Sequence, residues 1–472
     1  MNSRKCVKIP AELHKVNEIF TAHGHKAYLV GGAVRDMLRG KQAHDWDIAT
    51  DATPQQVMQM FRRVIPTGIA HGTVTIHIYG HEIETTTFRT EAGYSDGRHP
   101  DAVQYAATIE EDLSRRDFTM NAIAADLADG TIVDPFHGQE DIRNGIIRTV
   151  GSPLERFDED GLRPVRAIRF AGQLGFKIEE NTFAALSHPA VLARTGSISP
   201  ERFRDELCKM LQTDTPSASL RLMEQTGIMD LFIPGFKPCR GCQQADFRVF
   251  HEFDVADHLL AACDGAPKDK LEVRLAAFYH DIGKPEARTV EHLPQGDVIH
   301  FHGHEKISAQ KAKDSMTALK FPNQTISAVC HLVKEHMFFY ESSWGDAAVR
   351  RFIIRVGTEC FDDLIDLRLA DIYGMHGVAV AEGSPAWLNL VELHTRVEKV
   401  IAEKNALSLK DLAVNGRDLM NAGIPAGKML GNILAELFET VTDSPAMNEQ
   451  DKLLPLAKNI FVQKYGGKLP TA

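Results

Sequence analysis

Residues 28–54, YLVGGAVRDMLRGKQAHDWDIATDATP, restrict the fold of this chain more than any other stretch. An apolar run, Tyr28-Leu29-Val30, stops at Gly31-Gly32, and an amphipathic segment from Ala33 to Leu38 closes at Gly40. A polar link leads to Asp45-Trp46-Asp47 and then to Ile48-Ala49. The pattern predicts a strand, a glycine turn, a helix and a second strand carrying both aspartates. Residues two apart on a strand point the same way, so the Asp45 and Asp47 carboxylates would share a face. Carboxylates that close repel, and one keeps its proton unless a cation lies between them. Mg²⁺ takes oxygen ligands, commonly one or two carboxylates plus substrate phosphates. The glycines let a phosphate chain approach the backbone, and amides at the helix start can receive it. Asp-x-Asp alone also describes a solvated strand end. The Gly-Gly-x-x-Arg-Asp string upstream, which contains Arg35, tips the reading to a metal–nucleotide site.

At 472 residues the chain is long enough for several domains and a large core. The formal net charge of −11 argues against a general nucleic-acid coat, so an RNA partner would need a local basic face. Seven scattered cysteines make no disulfide framework. Cys239 and Cys242 form a lone C-x-x-C without a second ligand pair for zinc, which reads as a loop feature. The opening MNSRKCVKIP lacks the apolar core of a signal peptide, and no run reaches the ~18 apolar residues of a membrane span. A cytoplasmic location with no membrane partner is expected.

Helical spacing predicts a helix over 10–23 and a second from 54 to 63. Alternation predicts a hairpin of 73–79 and 82–88 over Gly80-His81. Glu84 on it is either a third carboxylate or an exposed strand residue. Residues 89–107 have no clean period and predict a mobile loop. A helix over 110–126 and a strand over 131–134 follow, after which the strand signals stop. Helices broken near 195–200, 237–243, 291–297 and 381–385 complete an α+β chain, a mixed head before a long helical body.

Three further constellations carry chemistry. In Arg115-Arg116-Asp117-Phe118-Thr119-x-Asn121, the expected helix stacks Asp117 on Asn121, and a guanidinium suits a triphosphate or ribose. Asp160, Arg163, Arg166 and Arg169 step by three and predict a polar stripe on one helix, beside an apolar stripe of Leu162, Val165 and Ile168. An Asp and an Arg one turn apart can read a base edge as acceptor and donor, or simply form a surface ion-pair ladder. Pro164 disturbs that helix: either it begins there or it kinks. Finally His258, His280, Asp281, His304, His336 and Asp371 fall on expected helices, where imidazole and carboxylate can hold a divalent transition metal with open water positions.

GGAVRDMLRG with DWDIATDATP, RRDFTMNA, DPFHGQED from Asp134 to Asp141, and EDGLRPVRAIRF together resemble the polymerase-β-type nucleotidyltransferases, in the branch of bacterial tRNA CCA-adding enzymes and poly(A) polymerases. SPERFRDELCK, from Ser199 to Lys209, resembles the family's neck segment and offers no chemistry of its own. LAAFYHDIGKPEA with its flanking histidines resembles the HD metal-dependent phosphohydrolases.

The resemblance implies a nucleotidyltransferase head (1–150), an all-helical neck (151–235) and an HD-type body (236–380), and it ends near residue 375; the helical tail (381–472) carries no motif of its own and is a place for contact with the tRNA elbow. It implies that Asp45 and Asp47 hold two Mg²⁺, and that Gly31, Gly32, Arg35, Arg116, Asp117, Asp160, Arg163, Arg166 and Arg169 bind the nucleotide. Arg116 and Asp117 would lie at the ribose, Asp160 and Arg163 at the base, and Arg166 and Arg169 toward the triphosphate. His258, His280, Asp281 and Asp371 would bind Ni, Mn or Co, with His304 and His336 nearby for a second ion or for phosphate. The expected activity is template-independent addition of C, C and A to tRNA from CTP and ATP. The rivals are a poly(A) polymerase, an A-only enzyme, and a metal phosphohydrolase whose head merely binds nucleotides.

Overall fold

The computed structural model describes residues 6–43, 45–92, 102–246, 253–403 and 406–466. The chain divides into two compact units, residues 1–240 with 314–322 and residues 241–313 with 323–472.

The first unit opens with α1 (Ala11–Ala22), which buries Leu13, Val16 and Phe20 as its spacing predicts. Next come β1 (Ala27–Val30), α2 (Gly32–Leu38), β2 (Asp47–Thr50), α3 (Pro54–Met60), β3 (Val64–Gly68), β4 (Thr73–Ile78) and β5 (His81–Thr87). β6 (Arg89–Ala92), β7 (Ala102–Tyr105), α4 (Ile109–Ser114), β8 (Ala124–Asp126) and β9 (Ile132–Val133) follow. Seven strands form one sheet in the order β3-β4-β5-β2-β1-β8-β9. Both faces of β1 are buried, as a central strand requires. Burying Leu29 and Ile48 completely contributes about 2 kcal/mol each. Thr53 and Gln56 close a capping box on α3, whose first residue is Pro54, so that helix starts where its sequence says.

Several expectations are corrected. Asp45 precedes β2 instead of lying on it, and β3 had no clear alternation to announce it. The β4–β5 hairpin turns over Tyr79-Gly80, both at positive φ, one residue earlier than expected. The ends of the 89–107 segment pair as antiparallel β6 and β7, while its middle, 93–101, lies outside the described residues.

The expected helix over 110–126 stops at Ser114. Phe118 then bridges Thr149, residues 119–121 make a 3-10 turn, and Ala124–Asp126 enter the sheet beside β1. A short run of small apolar residues buried on both faces looks the same to a helix as to a central strand, and sheet pairing chose the strand.

α5 (Gly138–Asn144) is capped by Asp134, whose Oδ1 and Oδ2 accept from the Gly138 and Gln139 amides at 2.7 and 3.0 Å. β10 (Ile146–Ile147), α6 (Pro153–Glu159), α7 (Arg163–Leu174) and β11 (Lys177–Ile178) lead into α8 (Glu180–Leu186), α9 (Pro189–Gly196), α10 (Pro200–Leu211), α11 (Pro216–Gln225) and α12 (Ile228–Phe232). β10 and β11 pair in parallel, so strands do not end at 150. α7 begins at Arg163 with Pro164 in its first turn, where a missing amide costs nothing. Asp160 therefore stands in extended backbone before the helix and is not part of a helical stripe.

The second unit contains α13 (Val255–Gly265), α14 (Leu271–Tyr279), α15 (Lys284–Ala287), β12 (Thr289–Leu293) and β13 (Gly296–His300). The last two form a hairpin where only a helix break was expected. α16 (His304–Ala318), α17 (Asn323–Glu335), α18 (Asp346–Val356), α19 (Phe361–His376) and α20 (Pro385–Ala402) follow; the end of α16 is counted with the first unit. α21 (Gly416–Asn421), α22 (Lys428–Asp443) and α23 (Gln450–Tyr465) bury a core of their own around Leu419, Ile433, Leu437 and Leu453. Arg350 of α18 donates to the Thr442 and Asp443 carbonyls at 2.6 and 3.1 Å, which satisfies the end of α22.

Candidate functional site

A cavity of about 310 Å³ opens in the first unit at the Asp47 end of β2. Its charged wall comprises Asp47, Glu84, Asp117 and Asp160 against Arg89, Arg115, Arg116, Arg163 and Arg166. Five arginines face four carboxylates here, so charge in the cavity is close to balanced although the chain is acidic overall.

Parallel pairing of β2 and β5 sets Asp47 opposite Glu84. Burial and Glu84 raise the Asp47 pKa, Asp45 adds to this, and Arg116 opposes it. Such a carboxylate gains from a cation. Asp45, Asp47 and Glu84 all keep exposed side chains, Asp47 losing only part of its hydration, but of the three only Asp47 and Glu84 line the cavity. Gly31 takes φ +69°, and a Cβ there would lie 3.2 Å from Arg116 Nη1 and 3.6 Å from Asp47 Oδ2. The backbone angle calls for glycine at this position, and the guanidinium tip lies close enough that a Cβ would make it shift by a few tenths of an ångström. Gly32 starts α2, and a Cβ there would meet only Arg35 Nη2 at 3.6 Å.

Arg115 and Arg116 are both anchored by Asp112, which is fully buried and accepts at 2.8 Å from Arg115 Nη2 and 3.3 Å from Arg116 Nη2. Burial disfavours the Asp112 charge, but these two guanidiniums hold its pKa below the ordinary value. Arg116 Nε is buried without a hydrogen-bond partner, a donor available to an anion. Asp117 accepts from the Phe118 amide and Asn121 Nδ2 on one oxygen, and from Arg166 Nε and Nη2 at 2.9 and 2.8 Å on the other. Burial works against its charge; Arg166 and Asn121 nevertheless bring its pKa down to about 2. The expected Asp117–Asn121 contact exists, made by a 3-10 turn and not by a helix.

Asp160 and Arg163 both line the cavity, and each is held by further protein groups. Arg202 of α10 grips Asp160 in a fork at 3.0 and 2.7 Å. Arg163 donates to Glu159 and to the Arg156 and Arg115 carbonyls at 3.0 and 3.1 Å. Four of the expected nucleotide residues, Gly31, Gly32, Arg35 and Arg169, are not in the cavity wall. Arg35 is buried against Asp36 and Asn121, and Arg169 pairs with Glu206 and stacks 3.9 Å from the Phe170 ring centroid. Asp112, Glu159 and Arg202 were missed as site residues. Asp112 had a signal, lying three and four residues before an arginine pair; Arg202 had none nearby.

In the second unit, α13, the end of α14 and α19 bring His258, His280, Asp281 and Asp371 together, and the start of α16 and the end of α17 add His304 and His336 around the same aspartate. The ligand atoms of each set, with Asp281 in both, lie within 4.8 Å of one another. His258 Nε2 is 2.9 Å from His280 Nε2, 3.2 Å from Asp281 Oδ2 and 3.3 Å from Asp371 Oδ1. On the other side, Asp281 Oδ1 is 3.0 Å from His304 Nε2 and 3.6 Å from His336 Nε2.

Nδ1 of His280, His304 and His336 faces the carbonyl of Ala277, Phe301 and Val333 at 2.8, 2.7 and 2.6 Å. A carbonyl can only accept, so Nδ1 carries the hydrogen and Nε2 of a neutral ring presents its lone pair to the centre. Burial opposes a charge on His258, yet Asp281 and Asp371 lift its pKa to about 9, and both carboxyls lie well below the ordinary range. Asp281 Oδ1 is buried and faces two imidazole nitrogens, of His304 and His336. Nitrogen and oxygen donors converging on the buried Asp281 carboxylate are a donor set that fits a divalent transition metal. Lys284 Nζ also reaches Asp281, at 2.6 Å.

Comparison with known proteins places the chain in a family. Residues 27–148 match the model of the "Poly A polymerase head domain", 175–239 that of the "Probable RNA and SrmB- binding site of polymerase A", and 300–457 that of a tRNA nucleotidyltransferase domain 2. The CCA-adding enzyme of Lactiplantibacillus plantarum is 32% identical over 97% of this chain and 98% of its own length. That of Levilactobacillus brevis is 36% identical over 91% of this chain and 93% of its own. The crystal structure of the Bacillus stearothermophilus CCA-adding enzyme in complex with CTP superposes with a TM-score of 0.71 at 28% identity, covering 96% of this chain and 98% of that one. The chain belongs to the family of the CCA-adding enzymes.

Proposed function

We propose that this chain adds C, C and A to the 3′ end of tRNA from CTP and ATP, choosing each base with protein groups in place of a template. The observation that carries this reading is the single cavity lined both by Asp47 and by Asp160 with Arg163. Cytosine and adenine each offer an amino donor beside a ring-nitrogen acceptor, so a carboxylate and a guanidinium serve both, while uracil and guanine present the opposite pattern. Arg116, with its buried Nε lacking an acceptor, is suited to the sugar–phosphate end of the nucleotide, and Gly31 keeps space beside it. Asp45 and Asp47 offer only oxygen, the ligand that Mg²⁺ requires. Asp45 and Asp47 would hold two magnesium ions, whose charge would offset that of the triphosphate and make the tRNA 3′-hydroxyl more acidic. The side chains then act by positioning and charge stabilisation, which is most of what phosphoryl transfer needs.

The test is incubation with tRNA ending at its discriminator base and with CTP alone, ATP alone, or both. CC addition from CTP and completion by ATP is the expected result. A-tails from ATP alone would favour a poly(A) polymerase, and addition only to tRNA already ending in CC would favour an A-only enzyme. Asp45→Ala is expected to abolish CMP and AMP transfer, by a factor of at least about 10³, with an unchanged far-UV CD spectrum. Retained transfer by that variant overturns the assignment.

The histidine–aspartate centre favours a second activity in the same chain, metal-dependent hydrolysis of phosphate esters. His258, His280, Asp281 and Asp371 would hold one ion, and His304 and His336 with Asp281 Oδ1 would serve a second ion or a substrate phosphate. An ion there supplies an activated water. Hydrolysis of 2′,3′-cyclic phosphates in the presence of Ni²⁺, Mn²⁺ or Co²⁺ tests this reading.

A further inference from the structure

Asp160 stands in extended backbone, and the α6–α7 junction gives it no helix to fix its side chain. Its orientation comes from 42 residues away, where Arg202 Nη1 and Nη2 donate to Oδ1 and Oδ2 at 3.0 and 2.7 Å. The Leu162 amide adds a third donor to Oδ1 at 2.9 Å. Arg202 lies in the first turn of α10, which Pro200 starts and whose Phe203 and Leu207 are fully buried, so the fork is mounted on a rigid support. Arg202 is not part of the cavity wall, whereas Asp160 is.

We infer that Arg202 is a positioning residue for base choice: it fixes the plane of the Asp160 carboxylate so that the remaining acceptor capacity of Oδ2 meets the amino group of cytosine or adenine. The inference rests on the proposed reading of Asp160 as a base reader. A planar fork sets the carboxylate plane as well as its charge, which an ammonium cannot do. With two donors already on Oδ1 and one on Oδ2, the second oxygen retains an open lone pair. A freely turning carboxylate would accept from the base less well and reject uracil less well, because rejection depends on an acceptor being held against the uracil carbonyl.

The experiment is steady-state CMP and UMP incorporation into tRNA lacking CCA, by wild type, Arg202→Ala, Arg202→Lys, Asp160→Ala and the double variant Asp160→Ala/Arg202→Ala. Arg202→Ala is expected to raise the KM for CTP about tenfold with kcat less affected, and to reduce CTP-over-UTP discrimination about tenfold. Arg202→Lys, which keeps the charge but not the fork, is expected to restore folding stability more fully than discrimination. The double variant is expected to be no less selective than Asp160→Ala alone, since both changes remove one function. Equal losses for CTP and UTP, or additive effects in the double variant, overturn the inference and leave Arg202 as a neck-packing residue. If wild type transfers CMP but Asp160→Ala keeps full discrimination, the base-reader reading of Asp160 fails and this inference fails with it.

Discussion

Asp117 sits where burial and pairing pull its charge in opposite directions, and pairing wins. Its pKa falls from 3.8 to about 2 because Arg166 and Asn121 compensate for lost hydration. A depressed carboxyl contributes stability above its unfolded pKa and loses it as pH falls through the folded value. Over that interval the contribution is about 2 kcal/mol. Thermal denaturation between pH 5 and 2 (on the order of the window these values set) should show it: Asp117→Asn is expected to lose stability less steeply than wild type below pH ~4. A parallel acid dependence would contradict the assignment. The RRDFTMNA string made Asp117 and Asn121 legible as a pair, although the reason read from it, a helical turn, was wrong. Hydrogen-bonding complementarity survives a change of backbone that periodicity cannot foresee.

Between elements, Gly374 shows how tightly α19 meets α13. A Cβ there would lie 2.9 Å from both the Nδ1 and the carbonyl oxygen of His258 and 3.0 Å from Ala262 Cβ. Alanine at a helical glycine ordinarily gains up to about 1 kcal/mol in propensity. Overpacking at a backbone contact costs about 1–3 kcal/mol, so the clash should win. Gly374→Ala is expected to lower stability by about 1–2 kcal/mol and to weaken metal retention, because the helix can move away only by displacing His258. Chemical denaturation and metal content by mass spectrometry after dialysis measure both. The clustering of His280 and Asp281 with the other four side chains was legible from the adjacent pair and from the order of the flanking histidines and Asp371. The glycine that lets the helices close was not, since nothing in its neighbours announces a partner more than a hundred residues earlier.

Across the whole molecule, the chain carries two chemically different centres in two units, one built of arginine and carboxylate, the other of imidazole and carboxylate. Separate ligand sets predict separable activities. Asp281→Ala should remove bound transition metal and phosphoester hydrolysis while CMP transfer stays within about twofold of wild type, and Asp45→Ala should do the reverse. Parallel assays on the two purified variants decide this, and loss of both activities in either variant, with folding intact, would show that the centres are not independent.

Contiguous residues carried the local chemistry: the glycine turn, the RRD triplet, the His280-Asp281 pair and the proline in the first turn of α7 all act within one or two turns of chain, where covalent geometry limits the options. Whatever depends on distant segments meeting was settled by packing. Sheet pairing turned a helical-looking alanine run into β8, the parallel register of β2 and β5 brought Glu84 beside Asp47, α10 delivered Arg202 to Asp160, and pairing with Asn121 and Glu206 kept Arg35 and Arg169 away from the cavity. A side chain's type says what it can bind. Which partner it finds is a free-energy minimum over the entire chain, and that minimum has no local signature.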